Sequence, residues 1–159
     1  MHGVMIFGLA VGLFFAIPLF TVIFSRLVFE SPMPDAMLPS LLILIAPFAV
    51  GFSAYAVTIG QVDLFVQSLF TLSLFILCVL LGRLRQLLVC CPFRVSWWAV
   101  SFPLAATSIA ALRFAAADSS AVADIIALAL LALATTIIAA LMIRTLAGIA
   151  RGELRALSS

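Results

Sequence analysis

Five long apolar runs, separated by short polar breaks, make up most of this 159-residue chain. They lie roughly at 4–24, 41–59, 64–81, 97–117 and 121–143. In the run from Trp97 to Arg113, apolar residues fall on every side of a helical wheel, without the single stripe of a water-facing surface helix. A membrane-crossing helix needs about 20 apolar residues, with a working range of about 17–25. Every run meets that length. The breaks carry turn chemistry: Ser31-Pro32-Met33-Pro34-Asp35, Gly60-Gln61-Val62-Asp63, Cys91-Pro92 and Asp118-Ser119-Ser120. The pattern predicts an all-α, polytopic transmembrane protein of about five spans. A single membrane domain then covers residues 1–159, with the lipid bilayer as its main surroundings.

Charge sharpens this picture. Only 9% of residues are charged and 67% are hydrophobic, where soluble domains are about a quarter charged. All eight basic residues are arginines. They sit between apolar runs, which argues against a nucleic-acid-binding patch. With five spans, the first loop, the third loop and the C-terminus share one side. That side holds Arg26, Arg83, Arg85, Arg94, Arg144, Arg151 and Arg155; the other holds only Arg113. The positive-inside rule then predicts a cytoplasmic C-terminus and an external Met1. The expected location is the plasma membrane, in bacteria the inner membrane. The N-terminus does not read as a signal peptide, because it lacks a basic leader and its apolar run from Val4 to Phe24 is too long.

Local chemistry concentrates in the fourth run, WWAVSFPLAATSIAALR, from Trp97 to Arg113. Trp97 and Trp98 suit a membrane interface, here the inner one. Pro103 follows Phe102 and has no N–H, so the carbonyl of Ala99 loses its helical partner and a bend is expected. Pro47 does the same to Ile43 in the second run, and Gly51 removes bulk one turn later. A freed carbonyl is tolerated in hydrocarbon only against protein or a wet cavity. The small residues after Pro103, including Ala105 and Ala106, either admit close helix packing or leave room for a passage. In the fifth run Ala132, Thr136 and Ala140 recur every four residues, a stripe suited to tight packing.

These residues also carry a resemblance. WW-x3-FPLAA, preceded by LLILIAPFAVGFSAY (Leu41 to Tyr55) and by His2-Gly3 with Phe7-Gly8, resembles the second half of the tellurite-resistance/dicarboxylate transporter family. That family includes the slow-type plant anion channels. The resemblance implies the last five helices of a ten-helix fold, arranged as five hairpins around a pore. It implies passage of small anions: chloride or nitrate, dicarboxylates such as malate, sulfite or tellurite-related oxyanions. It also implies a homotrimer in which each protomer has its own path. The second and fourth runs would be inner, pore-lining helices bent at Pro47 and Pro103, with Gly51 and Ala106 beside them. The Phe before the proline of the family's penultimate helix projects into the pore and occludes it. Phe102 matches that position.

Each residue has a plainer reading beside the functional one. Without the resemblance, Phe102 is one of 14 phenylalanines and reads as packing or lipid contact. The prolines read as ordinary kinks. Arg113 reads as a side chain reaching the outer interface, paired with Asp118 or Asp124. Yet Arg113 is three turns beyond Phe102 on nearly one face, about 16 Å away, where it could attract anions to the outer mouth of a pore. The second and fourth runs carry no Asp or Glu in their apolar stretches. A cation path would show acidic rings and a proton-coupled carrier a buried carboxylate or histidine, so a passive anion path is favoured.

Neither catalysis nor cofactor chemistry is indicated. There is no nucleophile–base constellation and no phosphate-binding Gly-rich loop. His2, Cys78, Cys90 and Cys91 do not form the three or four converging ligands of a metal site, so no metal or cofactor is expected. The cysteines read as apolar filler or reduced thiols. Five spans alone cannot close the family's pore. The expectation is therefore part of a larger or split channel completed by a partner chain. The alternative is a non-conducting fragment or accessory subunit that packs with a partner.

Overall fold

The computed structural model describes residues 2–30, 35–90 and 95–152. Helix α1 spans His2–Phe29, and a 3₁₀ segment, Asp35–Ile45, leads into α2, Ala46–Ile59. Helix α3 spans Leu64–Cys90; a second 3₁₀ segment, Val95–Val100, leads into α4, Ser101–Asp118, and α5 spans Ala121–Ala150. No strand occurs among the described residues. Among the described residues, five stretches are long and apolar enough to cross a membrane: His2–Phe29, Leu38–Ile59, Leu64–Gly82, Ser96–Asp118 and Ala121–Ala150. The chain is an all-α, multi-pass membrane protein, as the hydrophobic pattern predicts. The predicted turns at 31–34 and at Cys91-Pro92, together with Arg94 and Arg155, lie outside the described residues.

The helices outrun the apolar stretches at several ends. Hydropathy marks the part of a helix that needs hydrocarbon, not where its hydrogen bonds stop. Helix α1 continues past Ser25, with Arg26 Nε 3.0 Å from Glu30 Oε2 one turn on. Helix α5 continues past Arg144 until Gly152, whose φ of +72° takes the chain out of the helix. The turns themselves follow local chemistry. Gly60 ends α2 with φ +76° and donates its N–H to Ala56 at 3.0 Å, the left-handed stop that glycine adopts without strain. Three residues later Asp63 accepts the Val66 N–H at 3.0 Å and caps α3. Ser119 ends α4 at φ +50°, the one non-glycine positive φ among the described residues.

Helix α4 packs along α5, and α2 packs against both α3 and α4. The two 3₁₀ segments pack on each other. Helix α1 lies at the edge, meeting chiefly α2, with no buried residue. Alanines 110, 111 and 115 of α4 and alanines 123, 127 and 134 of α5 belong to one buried cluster. With so few side-chain atoms, the two backbones approach closely, which is how helices associate in lipid. The cluster also holds Phe52, Phe70 and, at its edge, Phe114. The rings of Phe70 and Phe114 stack at 4.7 Å, and Phe52 lies 5.5 Å from Phe70, so one aromatic group joins α2, α3 and α4.

One packing expectation is corrected. Ala132, Thr136 and Ala140 are all exposed, and α5 packs through the opposite face. Helix α5 carries alanine on every side, so a four-residue spacing of small residues could be read in more than one frame. The Ser53 hydroxyl of α2 is buried without a partner among the described residues, while other hydroxyls within the spans are satisfied locally. Thr107 donates to Pro103 O at 2.7 Å, Thr135 to Leu131 O at 2.7 Å and Thr145 to Leu141 O at 2.8 Å, as a dry environment requires.

Candidate functional site

The second and fourth spans are built to one plan: a 3₁₀ segment, then an α-helix with a proline in its first turn. Pro47 is the second residue of α2 and Pro103 the third of α4. This refines the expected kink. Each proline occupies the first turn of an α-helix, the position where proline is best tolerated. The preceding residues tighten into 3₁₀ form, in which a carbonyl is met three residues on rather than four. That pattern offers the carbonyls of Ile43 and Ala99 partners at Ala46 and Phe102. The prolines thus coincide with the passage from 3₁₀ to α form, and the backbone stays helical through Ile45 and Val100. Because the 3₁₀ segments pack together and α2 packs on α4, the two joints lie side by side.

Above the joints each helix divides into a packed face and a bare one. Pro103, Leu104, Thr107, Ser108, Ala110, Ala111 and Ala115 of α4 are buried. Phe102 is 60% exposed, and Ile109, Leu112 and Arg113 are exposed with it. Positions 102, 109 and 113 fall within about 40° of one another on a wheel of 3.6 residues per turn. Phe102 and Arg113 thus share one uncovered face, with Ala105 and Ala106 half-buried at its margin. Helix α2 shows the same division, with Val50 and Val57 bare and Pro47 and Ala54 half-buried. Gly51 lies on the packed side. A Cβ there would sit 3.2 Å from Leu13 of α1 and 3.7 Å from Leu69 of α3, so its smallness seats neighbouring helices. Arg113 makes no ion pair with Asp118 or Asp124 among the described residues.

A chain with two parallel, proline-jointed helices bare along one side each invites comparison with known membrane proteins. The family model described as SLAC1, voltage-dependent anion channel, matches residues 1–146. The chain belongs to the voltage-dependent anion channel family. It is similar to the S-type anion channel SLAH3 of Arabidopsis thaliana, 28% identical over 144 residues, covering 89% of this chain and 22% of that protein. The guard cell S-type anion channel SLAC1 of the same plant is 26% identical over 137 residues, covering 86% of this chain and 24% of that protein. The chain therefore spans about a quarter of the length of these relatives. No solved structure matches it significantly.

Two contacts of this anion channel family member escape a sequence reading. The Trp98 indole N–H donates to Thr145 Oγ1 at 3.0 Å, tying the second 3₁₀ segment to α5 across 47 residues. Ser108 places its hydroxyl 2.8 Å from Leu104 O and 3.0 Å from Leu130 O, between α4 and α5. No spacing rule reveals either. At the far end of α2, the Tyr55 hydroxyl donates to Asp63 at 2.5 Å. That bond, with the Val66 N–H, holds the Asp63 carboxyl below its ordinary range. The Asp63 cap could have been found from sequence, since an Asp directly before an apolar run is a helix-start signal.

Proposed function

We propose that this chain forms part of the wall of a passage for small anions, with Phe102 as its plug. The observation that carries the reading is the shared bare face of Phe102 and Arg113 on α4, in a member of an anion channel family. The aromatic ring blocks by size and dewetting, and Arg113 attracts anions toward one mouth. Pro47 and Pro103 set the joints, Gly51 seats the packing behind α2, and Ala106 keeps the face beside the ring low. Inorganic anions, dicarboxylates, sulfite and tellurite-related oxyanions are the candidate cargo. The chain works as one membrane domain, residues 1–159, equivalent to the last five helices of a ten-helix pore. A partner chain, or a homotrimer completed by one, supplies the remaining wall. The C-terminus is cytoplasmic and the membrane is the plasma membrane, a reading supported by the arginine asymmetry. Nothing in this role calls for catalysis or a cofactor.

A second reading, an accessory subunit or non-conducting fragment, is favoured by α1, which buries no residue of its own. Anion uptake into vesicles of the producing cell's membrane tests the first. Phe102→Ala should raise uptake per molecule about tenfold, the effect of removing about 1.4 kcal/mol of barrier, and Phe102→Leu should raise it less. If Phe102→Ala lowers yield and leaves uptake per molecule unchanged, Phe102 is packing and the accessory reading stands.

A further inference from the structure

We infer that Thr145, through the Trp98 indole, is a positioning residue for Phe102; the inference rests on the plug reading above. The problem it solves is local. Phe102 stands at the joint between a six-residue 3₁₀ segment and α4. Bonding in 3₁₀ form is poorer than in an α-helix, and runs beyond three or four residues are uncommon. Pro103 donates no N–H, so the α-helical ladder of α4 cannot be carried backward through Ala99. Backbone bonding alone therefore fixes the direction of the Phe102 ring weakly.

Side chains supply what the backbone lacks. Ser101 donates its hydroxyl to Trp98 O at 2.7 Å, which stiffens the segment but ties it only to itself. Trp98, one turn before Phe102, donates its indole N–H to Thr145 Oγ1 at 3.0 Å. Thr145 donates its own proton to Leu141 O at 2.8 Å. Its hydroxyl is thus oriented to accept, and the tether ends on the backbone of α5. Helix α5 runs 30 residues without a proline and is the straight frame against which α4 packs. The neighbouring 3₁₀ segment, Asp35–Ile45, is itself the same kind of joint and offers no such frame. Losing the tether lets the second 3₁₀ segment turn and carries Phe102 off its blocking position.

The test uses the full chain in vesicles of its own membrane. Thr145→Val keeps the shape and removes the acceptor; Thr145→Ser keeps the acceptor. Thr145→Val should raise anion uptake per molecule about fivefold, the population shift that goes with one neutral hydrogen bond, and Thr145→Ser should match the unaltered chain. In a Phe102→Ala background, Thr145→Val should add nothing, because no plug is left to misplace. A further rise there would overturn the inference, since the residue would then act by another route. A second readout is independent of transport. With Trp97→Phe, Trp98 is the one indole, and Thr145→Val should increase its quenching by acrylamide while Thr145→Ser does not. Unchanged quenching and unchanged uptake in Thr145→Val would refute the tether. Should Phe102→Ala itself leave uptake unchanged, the plug reading is what fails, and quenching still decides whether the tether holds.

Discussion

Helices α1 and α4 each carry a proline and at least one bare phenylalanine, yet they are different objects. Pro18 lies inside α1, which runs unbroken from His2 to Phe29. Pro103 lies in the first turn of α4, after a 3₁₀ segment. Phe14 is 70% exposed, slightly more than Phe102. Exposure and a nearby proline therefore do not set Phe102 apart. Its setting does. The chain around Phe102 is tied to α5 by the Trp98–Thr145 hydrogen bond and stiffened from within by the Ser101–Trp98 and Thr107–Pro103 bonds. The Phe14 ring meets Phe15 of its own helix edge-on at 5.4 Å, and the neighbouring side chain, Leu13, packs at Gly51 of α2. A bare side chain on a gripped backbone can hold a fixed position in a passage; one on an edge helix meets lipid or a partner.

That contrast can be broken by paired substitutions. The largest difference should come from Phe102→Ala against Phe14→Ala: about a tenfold rise in anion uptake for the first and none for the second. Equal effects would mean that bare aromatic rings act alike wherever they stand. Next in size is stability. Phe52 is fully buried between Phe70 and Phe114. Phe→Ala in a core costs about 3–5 kcal/mol, and the packing share that survives in lipid, about 1–3 kcal/mol, should be lost in Phe52→Ala. Phe14→Ala should leave the unfolding midpoint in detergent nearly unchanged.

Smaller effects separate charge from packing. Arg113→Ala should lower anion uptake about twofold to threefold at about 0.01 M salt and barely at about 0.15 M, because screening shortens the reach of the charge from about 30 Å to about 8 Å. An equal loss at both salts would make Arg113 structural. The smallest effect concerns Asp63, whose carboxyl is held below its ordinary range first by the Tyr55 hydroxyl and then by the Val66 N–H. A carboxyl with a lowered folded pKa adds stability above its unfolded value, and that stability fades as pH falls through the folded one. The α2–α3 hairpin should therefore loosen slightly below about pH 4, with Asp63→Asn removing that pH dependence; hydrogen exchange at Val66 reads it.

Much of the fold was legible in the sequence because hydrocarbon allows so few solutions. Long apolar runs must be helices there, so the five spans and the breaks at Gly60–Asp63 and Asp118–Ser120 could be read directly. The resemblance carried by WW-x3-FPLAA and APFAVGF led to the right family. What could not be read was which face of each helix packs. Apolar residues on all sides leave no stripe, so the Ala132–Thr136–Ala140 spacing suggests an interface on a face that is bare in this chain. Proline signalled an irregularity but not its form: 3₁₀ segments lead into the α-helices beside Pro47 and Pro103, and the backbone stays helical through Ile45 and Val100. Gly51 could be read as small, but not as sitting beneath Leu13. The Trp98–Thr145 bond depends on how α4 rotates against α5, which no local pattern encodes.

The central claim is that the bare face of α4 borders water while the bare face of α1 borders lipid or protein. Thiol labelling tests it most directly. With Cys78, Cys90 and Cys91 replaced by serine, single cysteines are introduced by Ile109→Cys, Arg113→Cys, Phe7→Cys and Phe14→Cys in the full chain in its own membrane. A small, charged, membrane-impermeant thiol reagent is then applied from each side. The account predicts labelling at 109 and 113, faster at 109 once Phe102→Ala is added for reagent entering from the side of Trp98, and none at 7 and 14. Labelling of 14 as readily as 109, or of neither 109 nor 113, would contradict it.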